Sequence, residues 1–470
     1  MSDVKPLPGL AGSMASHSKR QPDVDTGGVV MMRKLVVLAA LFYACFLGPL
    51  AETARARDAG APPASAQFDP VAATENYLAK IPAAKRGQSD AYCEGGYWLQ
   101  LWNFLAGVGL AYLLLAGRWS CRMRNLAERL TRRRPLQTLI YWIQYLIVMA
   151  LITFPMTVYE DYFREHKYGL ATQTFVPWLG DQLKGLVVGS ILGSILVVPL
   201  YGVVRKLPRT WWMWGTVVTM VFMIVALLIG PIFIEPLFNA YTPLTDPAIR
   251  GPILRLARAN GIETNYVYMF DASRQTTRVS ANVAGFLGTE RIALNDNLLK
   301  RCTLPEIETV MAHEMGHYVL NHIYKMLNFL LIIAAVGFAF LRWSFDYSLK
   351  KWGRKWGVRD IGDVAGLPLV VLLFSIFFFF VSPVTNTFIR VQEAEADIYG
   401  LNAARQPDGE AEVALKLGEY RKMSPGPIEE FIFCDHPSSR NRILMAMRWK
   451  AENLDQLPVS EPAQSTAPTP

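Results

Sequence analysis

His313 and His317 stand four residues apart, with Glu314 directly after the first, in the run His313-Glu314-Met315-Gly316-His317. On an α-helix, residues four apart share a face, so the two imidazoles present themselves to one point at a spacing that suits a single tetrahedral zinc. Glu314 sits one step round the helix, within reach of a water on that metal. Zinc lowers the pKa of such a water from about 15.7 toward about 7 and polarises a carbonyl, while the glutamate takes the proton and later delivers it to a leaving amine. The chemistry implied is peptide-bond hydrolysis with one Zn2+ per chain.

A five-residue pattern also arises by chance, so its surroundings must decide. A catalytic zinc needs three protein ligands and one open position. The candidate third ligand lies in Arg390-Val391-Gln392-Glu393-Ala394-Glu395-Ala396-Asp397, a polar continuation of an apolar helix. Glu393 and Asp397 are again four apart. Glu393 suits the metal, and Asp397 suits the free N–H of a ligating histidine, whose tautomer it would fix. Glu395 is expected to point away into solvent. Read alone, these acids are an ordinary charged face beside Arg390.

His436 opens a third segment, His436-Pro437-Ser438-Ser439-Arg440-Asn441-Arg442. An imidazole or guanidinium placed there could stabilise the oxyanion of a tetrahedral intermediate, whereas a lone His before Pro is otherwise a loop or helix-start residue. His322 falls roughly 140° round a continuing helix from His317 and reads as a bystander. The five cysteines are scattered, with no CxxC pair, and read as small apolar residues.

The elements that must carry these residues are legible in outline. Thr303 can cap the helix of the histidine motif, with Glu306 completing a capping box. Upstream, Pro247 to Asn260 has helical periodicity, Tyr266 to Phe270 and Arg291 to Leu294 are β-like, and the region of Gly285 and Gly288 suggests a turn. Residues 238–324 thus form a polar catalytic insert, and 389–450 a second polar segment that carries Glu393 and His436.

The rest of the chain is a membrane body. Of 470 residues, 52% are hydrophobic and 18% charged, and mean hydropathy is positive. A bilayer core takes about 20 apolar residues. Runs of that size lie near 97–116, 137–158, 182–204, 211–236, 326–343 and 366–388. Residues 31–56 form either a signal-like segment or an uncleaved first span. The membrane regions are then 57–237 and 325–388, and the fold class is mainly α, a polytopic membrane protein of about seven transmembrane helices. Residues 1–30 and 451–470 read as a disordered arm and tail. Gly185, Gly189 and Gly193 suggest a helix face that a neighbour approaches closely. The net charge of +8 falls in short clusters between apolar runs, a pattern that sets topology and argues against a nucleic-acid partner.

At this point the residues resemble the type I CAAX prenyl endopeptidases, over about Phe68 to Lys450. The resemblance rests on Pro236-Leu237-Phe238-Asn239, an Asn-containing segment, the His-Glu-x-x-His motif, Glu393-x-x-Ala396-Asp397, and His436-Pro437 with Arg442. The second element, Ser280-Ala281-Asn282-Val283-Ala284-Gly285, departs from the eukaryotic Asn-Ala-aromatic form. The resemblance implies zinc on His313, His317 and Glu393, with Glu314 as base and Asp397 behind the ligands. It places Asn282, His436 and Arg442 on substrate backbone or the oxyanion. It also implies seven helices enclosing an intramembrane chamber, and removal of the last three residues of a prenylated protein.

Arg and Lys concentrate in 117–136, 205–210 and 344–364, whereas 159–181 holds only Arg164 and Lys167. Short basic loops stay in the cytoplasm. The catalytic insert is therefore expected outside it, as in a bacterial-type inner membrane. An outward site suits misfolded or membrane-inserted proteins better than prenylated tails, so a quality-control protease is the alternative function. A non-catalytic membrane scaffold of the same fold is the alternative from another class. In each case the expected partners are the lipid bilayer and, for a protease, a peptide or protein substrate.

Overall fold

The computed structural model describes residues 68–284 and 291–457. The expected arm, the first span or signal, the turn at Gly285 and Gly288, and the tail beyond residue 457 lie outside the described residues.

Six described helices are long and apolar enough to cross a membrane. They are α2 (Ala83–Ala116), α4 (Arg134–Thr157), α5 (Phe175–Lys206), α6 (Trp211–Ile229), α10 (His322–Trp356) and α11 (Leu367–Ala404). Shorter helices precede and join them: α1 (Pro70–Ala79) and α3 (Trp119–Leu130). Leu151, Val187 and Phe380 remain largely exposed on the long helices. Outward apolar surface of this kind is what lipid solvates, and a helix satisfies its own backbone there.

The helices outrun their apolar runs at one end. α2 begins well before residue 97 because its polar first turns pack on protein: Ser89 Oγ donates to the carbonyls of Gly418 and Arg421. α4 contains Pro155, whose missing N–H loosens the ladder, and continues as a π-helical stretch, Val158–Arg164. The expected small-residue face on α5 is corrected in part. A Cβ on Gly193 would meet the Trp142 indole at 2.2 Å, whereas Gly185 and Gly189 have nothing within 4 Å. One large ring, not a helix backbone, fills the notch.

At the other end the three basic loops pack together. Arg124 pairs with Asp363 at 2.6 Å, both buried. Arg205 donates to the carbonyl of Gly362, and Arg359 pairs with Glu128.

The polar insert holds a four-stranded sheet of order β1-β2-β4-β3, with β1 (Tyr241–Pro243), β2 (Val267–Phe270), β3 (Ala281–Ala284) and β4 (Arg291–Asn295). β2 and β4 are parallel, the outer pairs antiparallel, and Asn282 sits opposite Ala293. The helices of this end are α7 (Pro247–Ala259), α8 (Asp296–Arg301) and α9 (Leu304–Val319). After α11 come α12 (Pro407–Leu417), α13 (Pro427–Phe433) and α14 (Ser439–Glu452). Ile307, Met311 and Met315 recur every four residues on α9 and are buried with Ile253, Ile292 and Leu294. That apolar stripe fixes the rotation of α9, and the histidines fall on the opposite side, toward α11.

Candidate metal centre

The start of α9 is set as the sequence implies: the Glu306 carboxylate accepts the Thr303 N–H and also takes Lys416 at 2.7 Å. Where α9 crosses α11, glycines let the backbones meet. A Cβ on Gly316 would lie 3.1 Å from Tyr399 and 3.3 Å from the Ala396 Cα, and one on Gly400 would lie 3.1 Å from the His313 nitrogen. This approach sets the depth at which side chains of α11 reach those of α9.

Three donor atoms converge there. His313 Nε2 and His317 Nε2 are 3.1 Å apart, and the Glu393 carboxylate is 3.4 Å from the first and 3.5 Å from the second. Zinc bonds of about 2.0–2.1 Å in a tetrahedron require donors about 3.3 Å apart. The two nitrogens are spaced nearly as two corners of such a figure, and each faces one oxygen of the Glu393 carboxylate, Oε2 toward His313 and Oε1 toward His317. His313, His317 and Glu393 could hold a metal, and the nitrogen-rich donor set suits zinc better than magnesium or calcium.

The electrostatics agree. Burial works against a charge on His313, but hydrogen bonds to Asp397 and Glu393 outweigh it and raise its pKa to about 10. Burial, followed by the neighbouring His313, lowers His317 to about 4. The carboxylates of Asp397 and Glu393 thus favour positive charge at His313, while His317 beside it is kept neutral. Burial pushes the Glu314 carboxyl up to about 7.

Asp397 Oδ1 lies 2.8 Å from His313 Nδ1, so both acids of α11 that share a face do reach the same imidazole. Arg442, buried on α14, donates to Asp397 at 2.5 Å and sits 3.2 Å from Glu410. His436 stands in the loop before α14, with Nε2 at 3.2 Å from Glu393 and Nδ1 at 2.8 Å from Asp435. His313, Glu314, His317, Glu393, His436 and Arg442 all border one cavity of about 410 Å³. The segment Arg278–Ala281 also lines it, so Asn282 stands on β3 just past the lining residues, its Oδ1 buried and without a hydrogen-bond partner. Arg278 also borders a second, polar cavity of about 590 Å³ between α2 and the end of α4, lined by Asn103, Glu160 and Arg164 among others.

One expectation about neighbours fails, whereas Glu395 is exposed as expected. His322 is no bystander, because α9 ends at Val319 and Asn321, at φ 58°, breaks the helix. The 140° rotation presumed a helix that does not continue. His322 instead returns to His317, 2.8 Å between their Nδ1 atoms, and Glu395 takes His322 and Lys325. Glu410 and Arg421 also line the cavity. Nothing in their local sequence marked them, since only the fold of α12–α14 over the site brings them there.

Comparison with known proteins places these observations. Residues 73–240 match the family described as CAAX prenyl protease N-terminal, five membrane helices, and residues 243–450 match peptidase family M48. The metalloprotease YhfN of Bacillus subtilis is 28% identical over 73% of this chain and 82% of its own length. A CAAX prenyl protease 1 homolog of Oryza sativa is 27% identical, over 66% of this chain and 72% of its own. CAAX prenyl protease 1 of Saccharomyces cerevisiae is 31% identical over 38% of this chain and 40% of its own. The crystal structure of S. mikatae Ste24p superposes with a TM-score of 0.65 at 21% identity, covering 80% of this chain and 95% of that one, and so shares the fold.

Proposed function

The chain belongs to peptidase family M48 and is a membrane metallopeptidase, and from that premise we propose that it hydrolyses peptide bonds with zinc on His313, His317 and Glu393 and with Glu314 as general base. The observation that carries this reading is the convergence of His313, His317 and Glu393: the two Nε2 atoms are 3.1 Å apart, close to the edge of a zinc tetrahedron, and each faces one Glu393 oxygen, at 3.4 and 3.5 Å. Zinc held there supplies a Lewis acid that polarises the scissile carbonyl and acidifies a water. Glu314 borders the cavity beside the histidines, takes the proton of the attacking water and returns it to the leaving amine. Asp397 holds the Nδ1 proton of His313 and leaves Nε2 free for the metal. His436 reaches Glu393 from the far side of the cavity, where a donated N–H meets the developing oxyanion. Arg442 keeps Asp397 charged, and Asn282 binds substrate backbone at the strand edge.

The relatives named CAAX prenyl protease support one substrate: a prenylated protein whose C-terminal tripeptide is removed. A second reading is supported by the collection of basic loops at the end away from the site: if those loops are cytoplasmic, the site faces the other side, where misfolded or membrane-inserted proteins are the substrates at hand. Cleavage of a farnesylated CAAX peptide against an unmodified unfolded protein separates the two.

The reaction itself is tested by metal analysis and peptide cleavage on wild type and Glu314→Ala. Retained zinc with activity lowered by roughly 10²–10⁴-fold is expected. Undiminished cleavage would remove Glu314 from the mechanism.

A further inference from the structure

Each ligating histidine uses Nε2 toward the metal centre, so each has an Nδ1 proton to place. For His313 the acceptor is Asp397, at 2.8 Å. For His317 it is a second imidazole: Nδ1 of His317 and Nδ1 of His322 are 2.8 Å apart, with the rings at 71°. Two such nitrogens at that distance need one proton between them, donated by one and accepted by the other. With a metal on His317 Nε2, the proton belongs to His317, and His322 Nδ1 must be the bare acceptor. The remaining proton of a neutral His322 is then on Nε2, which lies 3.1 Å from Glu395 Oε2. Glu395 is held in turn by Lys325 at 2.6 Å. Every donor in this chain meets an acceptor, and no atom is asked to do both.

We propose that His322, anchored by Glu395 and Lys325, is a positioning residue for His317: it accepts the Nδ1 proton and thereby fixes the tautomer and ring orientation that leave Nε2 for zinc. The two ligands of α9 are thus supported by different chemistry. His313 leans on a buried carboxylate braced by Arg442. His317 leans on a neutral imidazole whose own anchor is an ion pair 44% exposed on both sides. The bend at Asn321 is what makes this possible, because it turns the first residue of α10 back over the last turn of α9. His322 is 4% exposed, so the ring is enclosed and its orientation is set by the partners named.

The inference rests on the metal reading above, and its test is built to fail separately. Zinc affinity of the full-length protein in detergent is measured by chelator competition for wild type, His313→Ala, His322→Leu, His322→Asn and Glu395→Ala. Leu and Asn share a branched shape with four side-chain heavy atoms, but only Asn offers an acceptor near the Nδ1 position. Loss of an outer hydrogen-bond partner weakens metal binding by about 10–100-fold. That loss is expected for His322→Leu, with most of it recovered in His322→Asn. Equal affinity of the Leu variant and wild type, or equal losses in Leu and Asn, would overturn the proposal. Glu395→Ala, at a half-exposed position that folding tolerates, is expected to lose a smaller factor, and unchanged affinity there would break the chain at its outer link. Wild type that binds no zinc, or His313→Ala that binds it as tightly, would instead overturn the metal site itself.

Discussion

At the scale of single residues, the site is a problem in placing protons and charges. Arg442 shows what is at stake. Its guanidinium is buried between Asp397 and Glu410, and although burial opposes its charge, the two carboxylates hold it firmly protonated. Removing the cation leaves two buried acids facing each other beside His313. Arg442→Met is therefore expected to cost about 3–5 kcal/mol of stability, measured by thermal or denaturant unfolding in detergent. A Met variant as stable as wild type would show that Asp397 and Glu410 find another partner. The grouping of the candidate residues was largely legible in the sequence, because a helical spacing of four carries its own geometry: His313 with His317, and Glu393 with Asp397, do come together. His322 and Glu395 were not, because their roles depend on a helix ending at Val319, and a break at a non-glycine residue with positive φ leaves little mark on hydrophobic periodicity.

At the scale of elements, the site is a crossing of two helices. α9 is rotated by its apolar stripe on the sheet, and α11 is brought against it where Gly316 and Gly400 leave room. Gly400→Ala would drive a Cβ to 3.1 Å from the His313 backbone nitrogen. Overpacking of this kind costs about 1–3 kcal/mol, and it should also weaken zinc binding by separating Glu393 from the histidines. Gly185→Ala, with nothing within 4 Å, is the matched control and should leave zinc affinity unchanged. A Gly400→Ala protein with normal zinc affinity would show that the crossing has slack. The sequence placed α9 and its cap, α7, β2 and β4 to within a few residues. It missed β1 and β3, which are short and have no alternation to read. It also shortened α2 and α11, whose polar ends are helical because they pack on the catalytic segments and not because they are apolar.

At the scale of the whole molecule, the long helices deliver all the site's parts to one end and gather the basic loops at the other. Arg124, Arg205 and Arg359 bind groups from the neighbouring loops, so the three basic loops form one cluster. Because cytoplasmic loops carry the excess of Lys and Arg, an alkaline phosphatase fused after the last helix should be active in the bacterial periplasm, and a fluorescent protein fused there should be dark. The reverse pattern would place the site in the cytoplasm and favour the prenylated substrate.

Glu393 lies in the last turns of α11, the last described membrane helix, about 80 residues after the histidines it meets. The order of synthesis then becomes a safety device. On the zinc reading proposed above, a nascent chain that has made α9 carries two of the three metal-binding side chains, and it is expected to stay inert until synthesis has passed residue 393. A chain stopped after Phe388 should bind zinc far more weakly than the full protein and cleave nothing. Measurable hydrolysis by that truncated chain would show that the protease wakes before its membrane body is complete.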